Sequence, residues 1–239
     1  MKIVGIHQPQ YLPWLGLADR VSKSDLFVIL DNVPYSKNYF YNRNKIKGPN
    51  GPQWLTIPVL SKGQFGQSFT EMRIDNSQDW GEKHRKSIYQ AYAKAPFFGE
   101  YSGYFYEALK KDWNLLADIC VETFRFLLTS FGINKEIVRA SELKAEGKKE
   151  GLIINICRKV GATHYLSGPD GRNYLDISRW DDNGIKVDFQ NYAHPIYPQL
   201  HGDFVPNMSA IDLLFNCGKD GFNVLASGQP EYFPERTRQ

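Results

Sequence analysis

Cysteine is scarce in this chain. Three residues, Cys120, Cys157 and Cys217, stand far apart, with no C-x-x-C pair among them. That argues against a disulfide framework or a paired-thiolate zinc site, and it predicts buried free thiols in a reducing compartment. Long apolar runs are missing too. No stretch approaches the ~20 apolar residues that cross a bilayer. The opening Met1-Lys2-Ile3-Val4 meets His7 and Pro9 too soon to be a secretory leader, so the expected location is cytoplasmic. Charge of one sign is in short supply: 29 Lys+Arg against 26 Asp+Glu leave +3, a weak whole-chain case for nucleic acid. The G-x-G-x-x-G fingerprint, the GKS/T phosphate loop, the G-x-S-x-G elbow and HExxH are all absent. No metal site is expected, since the histidine spacings fit no named zinc pattern.

What is present is 42% hydrophobic residues and 14% aromatics over 239 residues, enough for a large core. A short apolar strand over 2–7 runs into His7-Gln8-Pro9-Gln10-Tyr11-Leu12-Pro13-Trp14-Leu15-Gly16, a helix follows over 14–23, and a continuously apolar strand over 25–31 ends at Asp31. Strand, turn, helix and buried strand predict a right-handed βαβ unit. Polar residues at the carboxyl ends of adjacent parallel strands are where open α/β sheets bind ligands. Residues 32–52 read as a long polar loop, 53–60 as a third strand and 66–75 as a further one. The 3.6-residue periodicity over 78–131 predicts helices there, broken at Pro96 and Gly99 and ended at Gly132. Short strands at 137–140, 163–166 and 185–189 and helices at 148–160 and 208–215 complete the pattern. The expected fold is a single α/β domain over 1–239, a Rossmann-like, HUP-like, mainly parallel sheet, with 78–131 as a helical insertion.

Four constellations carry candidate chemistry. His7 can donate, accept or move a proton near neutral pH, with Gln8, Gln10, Tyr11 and Trp14 beside it. Asp31, Lys37, Tyr39, Asn42, Arg43 and Lys45 interleave cations with rings and amides; the cations suit phosphates and the rings suit a base or sugar. His164, Ser167 and Arg172 flank a Ser-Gly-Pro turn after a strand. His194 opens a proline-stiffened segment with Tyr197 and Gln199. Ser209 reads as a helix cap, and Cys120 and Cys157 as core.

These motifs together resemble the WbqC-like protein family. The resemblance rests on Ile6 to Gly16, on Asp31 with Tyr35-Ser36-Lys37 and Asn42-Arg43-Asn44-Lys45-Ile46, and on Trp54 to Val59. It continues through Gly161 to Gly168 and Tyr197-Pro198-Gln199, and ends at Ser209 to Asn216. It implies a role in O-antigen and related surface-polysaccharide biosynthesis. The implied reaction is transfer of an aminoacyl, for instance glycyl, group to the amine of a nucleotide-linked amino sugar. The implied co-substrate is ATP or an aminoacyl donor, a charged tRNA included. On that reading His7, His164 and His194 are the candidate catalytic groups, and Gln8, Gln10, Tyr11, Trp14, Asp31, Lys37, Tyr39, Asn42, Arg43, Lys45, Ser167 and Arg172 bind substrate. The strand-end His and Asp also resemble the HUP nucleotide-binding folds, with the departure that Gln10 stands where the HxGH signature has its second histidine. A non-catalytic nucleotide-sugar binder and an RNA-binding protein are the alternative readings.

Overall fold

The computed structural model describes residues 1–37, 39–61 and 66–228; the rest of the expected 1–239 span lies outside the described residues. Five short strands form one all-parallel sheet: β1 (Ile3–His7), β2 (Leu26–Ile29), β5 (Glu136–Arg139), β6 (His164–Ser167) and β7 (Lys186–Phe189), in the spatial order β5-β2-β1-β6-β7. By order of appearance within the sheet this is third-second-first-fourth-fifth, the doubly wound Rossmann-like arrangement. Its strand order reverses between β1 and β6.

The connecting helices sort by side. α1 (Leu15–Lys23) joins β1 to β2, and α4 (Leu116–Ser130) leads into β5. Both pack on one face with Phe27 and Ile29, where the Phe27 and Phe124 rings meet at 6.3 Å. After the reversal, α5 (Glu150–Lys159) and α6 (Ile177–Asp181) cover the other face, against Val4, Ile6 and Val28. There Tyr165 stacks on Trp180 at 4.7 Å. β2 is buried at every position, as a strand covered on both faces must be.

The insertion is helical as expected: α2 (Trp80–Tyr92), α3 (Phe98–Lys110) and α4, with Gly132 at φ +73° just past the last. Its apolar faces join the α1-side core continuously. α7 (Ala210–Cys217) begins at Ser209, whose hydroxyl accepts from the Ile211 N–H, and α8 (Gly221–Ser227) follows.

Two expectations change. Residues 43–48 are strand, not loop: β3 (Arg43–Gly48) pairs antiparallel with β4 (Gly51–Thr56) in a separate hairpin. The signal was the Pro49-Asn50-Gly51 turn, with Gly51 at φ +95°, flanked by buried Asn44 and Ile46 alternating with Arg43 and Lys45. Residues 66–75 are not a strand but a chain of isolated bridges, Pro34 to Ser68, Val59 to Ile74 and Arg73 to Leu115. Phe69, Met72 and Ile74 are buried there without a ladder.

Candidate functional site at the sheet reversal

The strand-order reversal places the carboxyl ends of β1 and β6 side by side. Gly5 pairs with Leu166, so His7 lies level with Gly168. Gln190, just past β7, is tied in by its N–H donating to the Ser167 carbonyl at 2.9 Å. From the α1 face, Arg20 reaches the same level. A methyl group on Gly168 would lie 2.7 Å from its Nη2, so the absence of a side chain lets the guanidinium approach the strand end.

Arg20 is 5% exposed. Its Nε and Nη2 donate to Gln190 Oε1 at 3.1 and 2.9 Å, so its direct partner is an amide oxygen rather than a carboxylate. Burial lowers its pKa, against the pull of Tyr165, Asp19, Tyr174 and Asp170; a guanidinium nevertheless stays charged. Gln190 is held by donating to Gly16 O at 2.7 Å and Asp19 Oδ2 at 2.6 Å. Asp19 is shared with Lys23 at 3.0 Å. The carboxylates of Asp19 and Asp170 offset part of this buried positive charge through space, while its direct hydrogen-bond partner is a neutral oxygen, an arrangement that a bound anion would stabilise further.

His7 feels that charge. Burial first, and then the Arg20 guanidinium, push its pKa down to about 4, against a hydrogen bond with the Gln8 carbonyl. The ring is therefore neutral at pH 7. Nδ1–H donates to Gln8 O at 2.9 Å, since a carbonyl can only accept, and Nε2 is left as an acceptor.

Several buried polar atoms without partners follow these strands, and others, such as Gln67 Oε1 and Arg85 Nε, lie elsewhere. Among the described residues Gln10 Oε1 follows β1, Asn32 Oδ1 follows β2, and Tyr192 OH and His194 Nε2 follow β7. Such groups are costly unless water or ligand meets them. Tyr192 packs edge-on to Trp14 at 5.8 Å. The turn between His7 and α1 is itself constrained, with Leu12 at φ +44° and its carbonyl accepting from Asn44 Nδ2 at 2.6 Å. A non-glycine residue there stores strain that the surroundings must hold. A groove of about 630 Å³ between α2 and α3 is lined by residues such as Arg85, Tyr89, Phe98 and Tyr106. No strand-end residue lines it, and we favour the sheet reversal because the buried Arg20 charge lies there beside His7.

The structure brings His7, Gln8, Gln10, Trp14 and Ser167 to the carboxyl end of the sheet, Ser167 fully buried at the end of β6. His194 sits in the segment after β7, its ring among Tyr197 and Phe204 and its pKa lowered by burial. His164 goes elsewhere. It pairs with Ile3 at the start of β1, four residues before Gly168 and so ~13 Å away at about 3.3 Å per residue. It cannot complete a pocket with His7.

Tyr11 is fully enclosed. Its hydroxyl donates to His84 Nδ1 at 3.0 Å, while His84 bonds the Thr56 backbone. It is a core residue, not a platform for a sugar. Asp31 is fully buried and accepts from Ser141 N–H at 2.9 Å and Ser141 Oγ at 2.8 Å, which ties the end of β2 to the end of β5. Asn42 donates to the Ile57 carbonyl at 2.8 Å. Arg43 and Lys45 lie over the Trp54 ring at 4.6 and 4.9 Å on the outside of the hairpin. Lys37 is exposed, Tyr39 stacks on Tyr41 at 5.5 Å, and Arg172 covers Phe189 at 4.7 Å. The cation beside His7 is thus Arg20, not the tract after β2. Sequence reading missed Arg20 and Gln190 because an arginine and a glutamine 170 residues apart carry no local pattern.

A family model described as the WbqC-like protein family matches residues 8–224. The chain is also similar to the uncharacterized protein Rv1507c of Mycobacterium tuberculosis, 35% identical over 228 residues, covering 94% of this chain and 98% of that one. No solved structure matches significantly.

Proposed function

Since this chain belongs to the WbqC-like protein family, we propose that it is an N-acyl, and specifically aminoacyl, transferase or ligase acting on the amino group of a nucleotide-linked amino sugar. The resemblance to proteins of surface-polysaccharide biosynthesis supplies the substrate class. One observation carries the placement: Arg20, a buried guanidinium bonded to an amide oxygen, lies at the sheet reversal beside a neutral His7.

A diphosphate at this corner gives Arg20 its counter-ion in bidentate form. Neutralising Arg20 removes one of the causes that depress His7, so the imidazole becomes more basic as substrate binds. Coupling the charge to the base in this way prepares the chemistry only when phosphate is present. The sugar amine attacks the donor carbonyl, and the new N–C bond forms as the bond to the leaving group breaks. His7 Nε2 takes the amine proton and returns it to the leaving group. Trp14 and Tyr192 supply ring surface beside the acceptor, and His194 lies further along the same segment. Lys37, Arg43 and Lys45 have no role in holding the diphosphate on this reading.

The test is calorimetric binding of dTDP- or UDP-linked amino sugars, followed by product mass after adding glycine with ATP, or an aminoacyl donor. Wild type should bind, and Arg20→Gln should bind at least tenfold more weakly. No binding by wild type, or unchanged binding by Arg20→Gln, overturns the placement. The depressed pKa of His7 also favours a second reading, a non-catalytic nucleotide-sugar binder. Tight binding with no product under any donor would select it.

A further inference from the structure

The modest net charge of the chain conceals a segregation. Residues 32–70 hold five Lys+Arg, no Asp or Glu, and seven aromatic residues. With the whole chain at +3, everything outside this segment is net negative. The hairpin turns the pattern into a surface. Strand alternation sends Asn44 and Ile46 inward and leaves Arg43, Lys45 and Trp54 on the outer side, with Lys45 directly opposite Trp54 in the register. The indole is 44% exposed, and Phe40, 46% exposed, lies 5.6 Å from it. Tyr39 is 59% exposed and stacks on Tyr41.

From this we infer that the outer face of the β3–β4 hairpin binds single-stranded nucleic acid. Bases stack on Trp54, Phe40 and Tyr39, and backbone phosphates meet Lys45, Arg43 and Lys37. Interleaved rings and cations without carboxylates are the pattern that tracks an unpaired strand, because every base has a π-face and every linkage a negative charge. A membrane surface fits less well. Pro52 is the exposed apolar residue that shares the Trp54 side of β4 among the described residues, and the cations lie on the indole instead of reaching away from it.

The hairpin adjoins the sheet-reversal site. Lys45 O accepts from Ser209 N–H at 2.8 Å, Tyr41 O accepts from Tyr11 N–H at 3.0 Å, and Asn44 bonds Leu12. These contacts come from the inner side and backbone of the hairpin, so the hairpin stands between the outer face and the turn that carries Gln8 to Trp14. The inference stands apart from the acyl-transfer reading, and either can fail alone.

The test is fluorescence anisotropy of a labelled oligouridylate of about ten nucleotides, with the deoxy equivalent in parallel. Wild type should bind both at low salt. Three phosphate contacts at about 0.7 each give a log–log salt slope near −2. The double variant Lys45→Gln, Trp54→Ala should bind at least tenfold more weakly. Phe40→Ala, at a ring that stands clear of the core, should weaken binding severalfold with an unchanged melting temperature. No binding by wild type overturns the inference, as does equal binding by wild type and Phe40→Ala. Co-sedimentation with phosphatidylglycerol vesicles in place of oligonucleotide binding also overturns it, in favour of a membrane.

Discussion

His7 and His84 are both held near a pKa of about 4, by burial foremost, yet they do different work. His84 is locked between the Tyr11 hydroxyl and the Thr56 backbone, and its neutrality is structural. His7 leaves Nε2 as an acceptor beside Arg20, and its neutrality is adjustable. In an NMR titration the His7 imidazole should titrate near pH 4 in the free protein and at higher pH with nucleotide sugar bound; an unmoved value would separate it from the anion site. His7→Asn should lower turnover by roughly 100-fold or more, the low end for a lost general base, while shifting substrate affinity less. Asp31 gives the contrasting prediction. Its carboxylate holds two donors of Ser141, so Asp31→Ala should cost about 1–3 kcal/mol of stability by denaturant melt, with substrate binding per folded molecule unchanged. That a strand-end aspartate is a clamp was not legible in sequence, because its partner lies 110 residues away.

At the scale of elements, legibility followed periodicity. α2, α3 and α4 carry apolar stripes at helical spacing, and the buried strands β1 and β2 carry apolar runs, so their positions follow from the chain itself. β3 was missed because three of its six residues are lysine or arginine and its inward pair, Asn44 and Ile46, includes an asparagine; Lys47 is buried all the same by donating to the carbonyls of Gly202 and Asp203. Apolar alternation is only a proxy for burial, and it fails where hydrogen bonds do the burying. The α2–α3 contact rests on close approach. A methyl on Gly81 would sit 2.2 Å from the Leu109 carbonyl oxygen, a backbone atom that cannot swing away. Gly81→Ala should therefore force the helices apart and lower stability by about 1–3 kcal/mol, read as a lower thermal midpoint.

At the scale of the molecule, the histidines set a pH dependence. Their folded pKa of about 4 lies below the unfolded value of 6.5, so between these limits the unfolded chain binds more protons. Stability is complete above pH 6.5 and is lost as pH falls towards 4, by roughly 3 kcal/mol for each histidine at most. Urea midpoints at pH 7 and pH 4.5 should differ accordingly, and His84→Gln should shrink the difference. A pH-independent midpoint would show that neither ring is held neutral by the fold.

The sequence by itself determined most of the segments that form strands and helices in the doubly wound sheet and its helical insertion, the short α6 excepted. Those depend on local spacing and on burial that repeats every two or three to four residues. It also determined that polar groups collect at the carboxyl end of β1. Only the tertiary structure decided which cation stands beside His7, that His164 lies at the opposite end of the sheet, and that Tyr11 and Asp31 are structural. The physical reason is that strand order and register set these neighbours. They join residues 20, 168 and 190 through space, while the chain between them carries no trace of the contact.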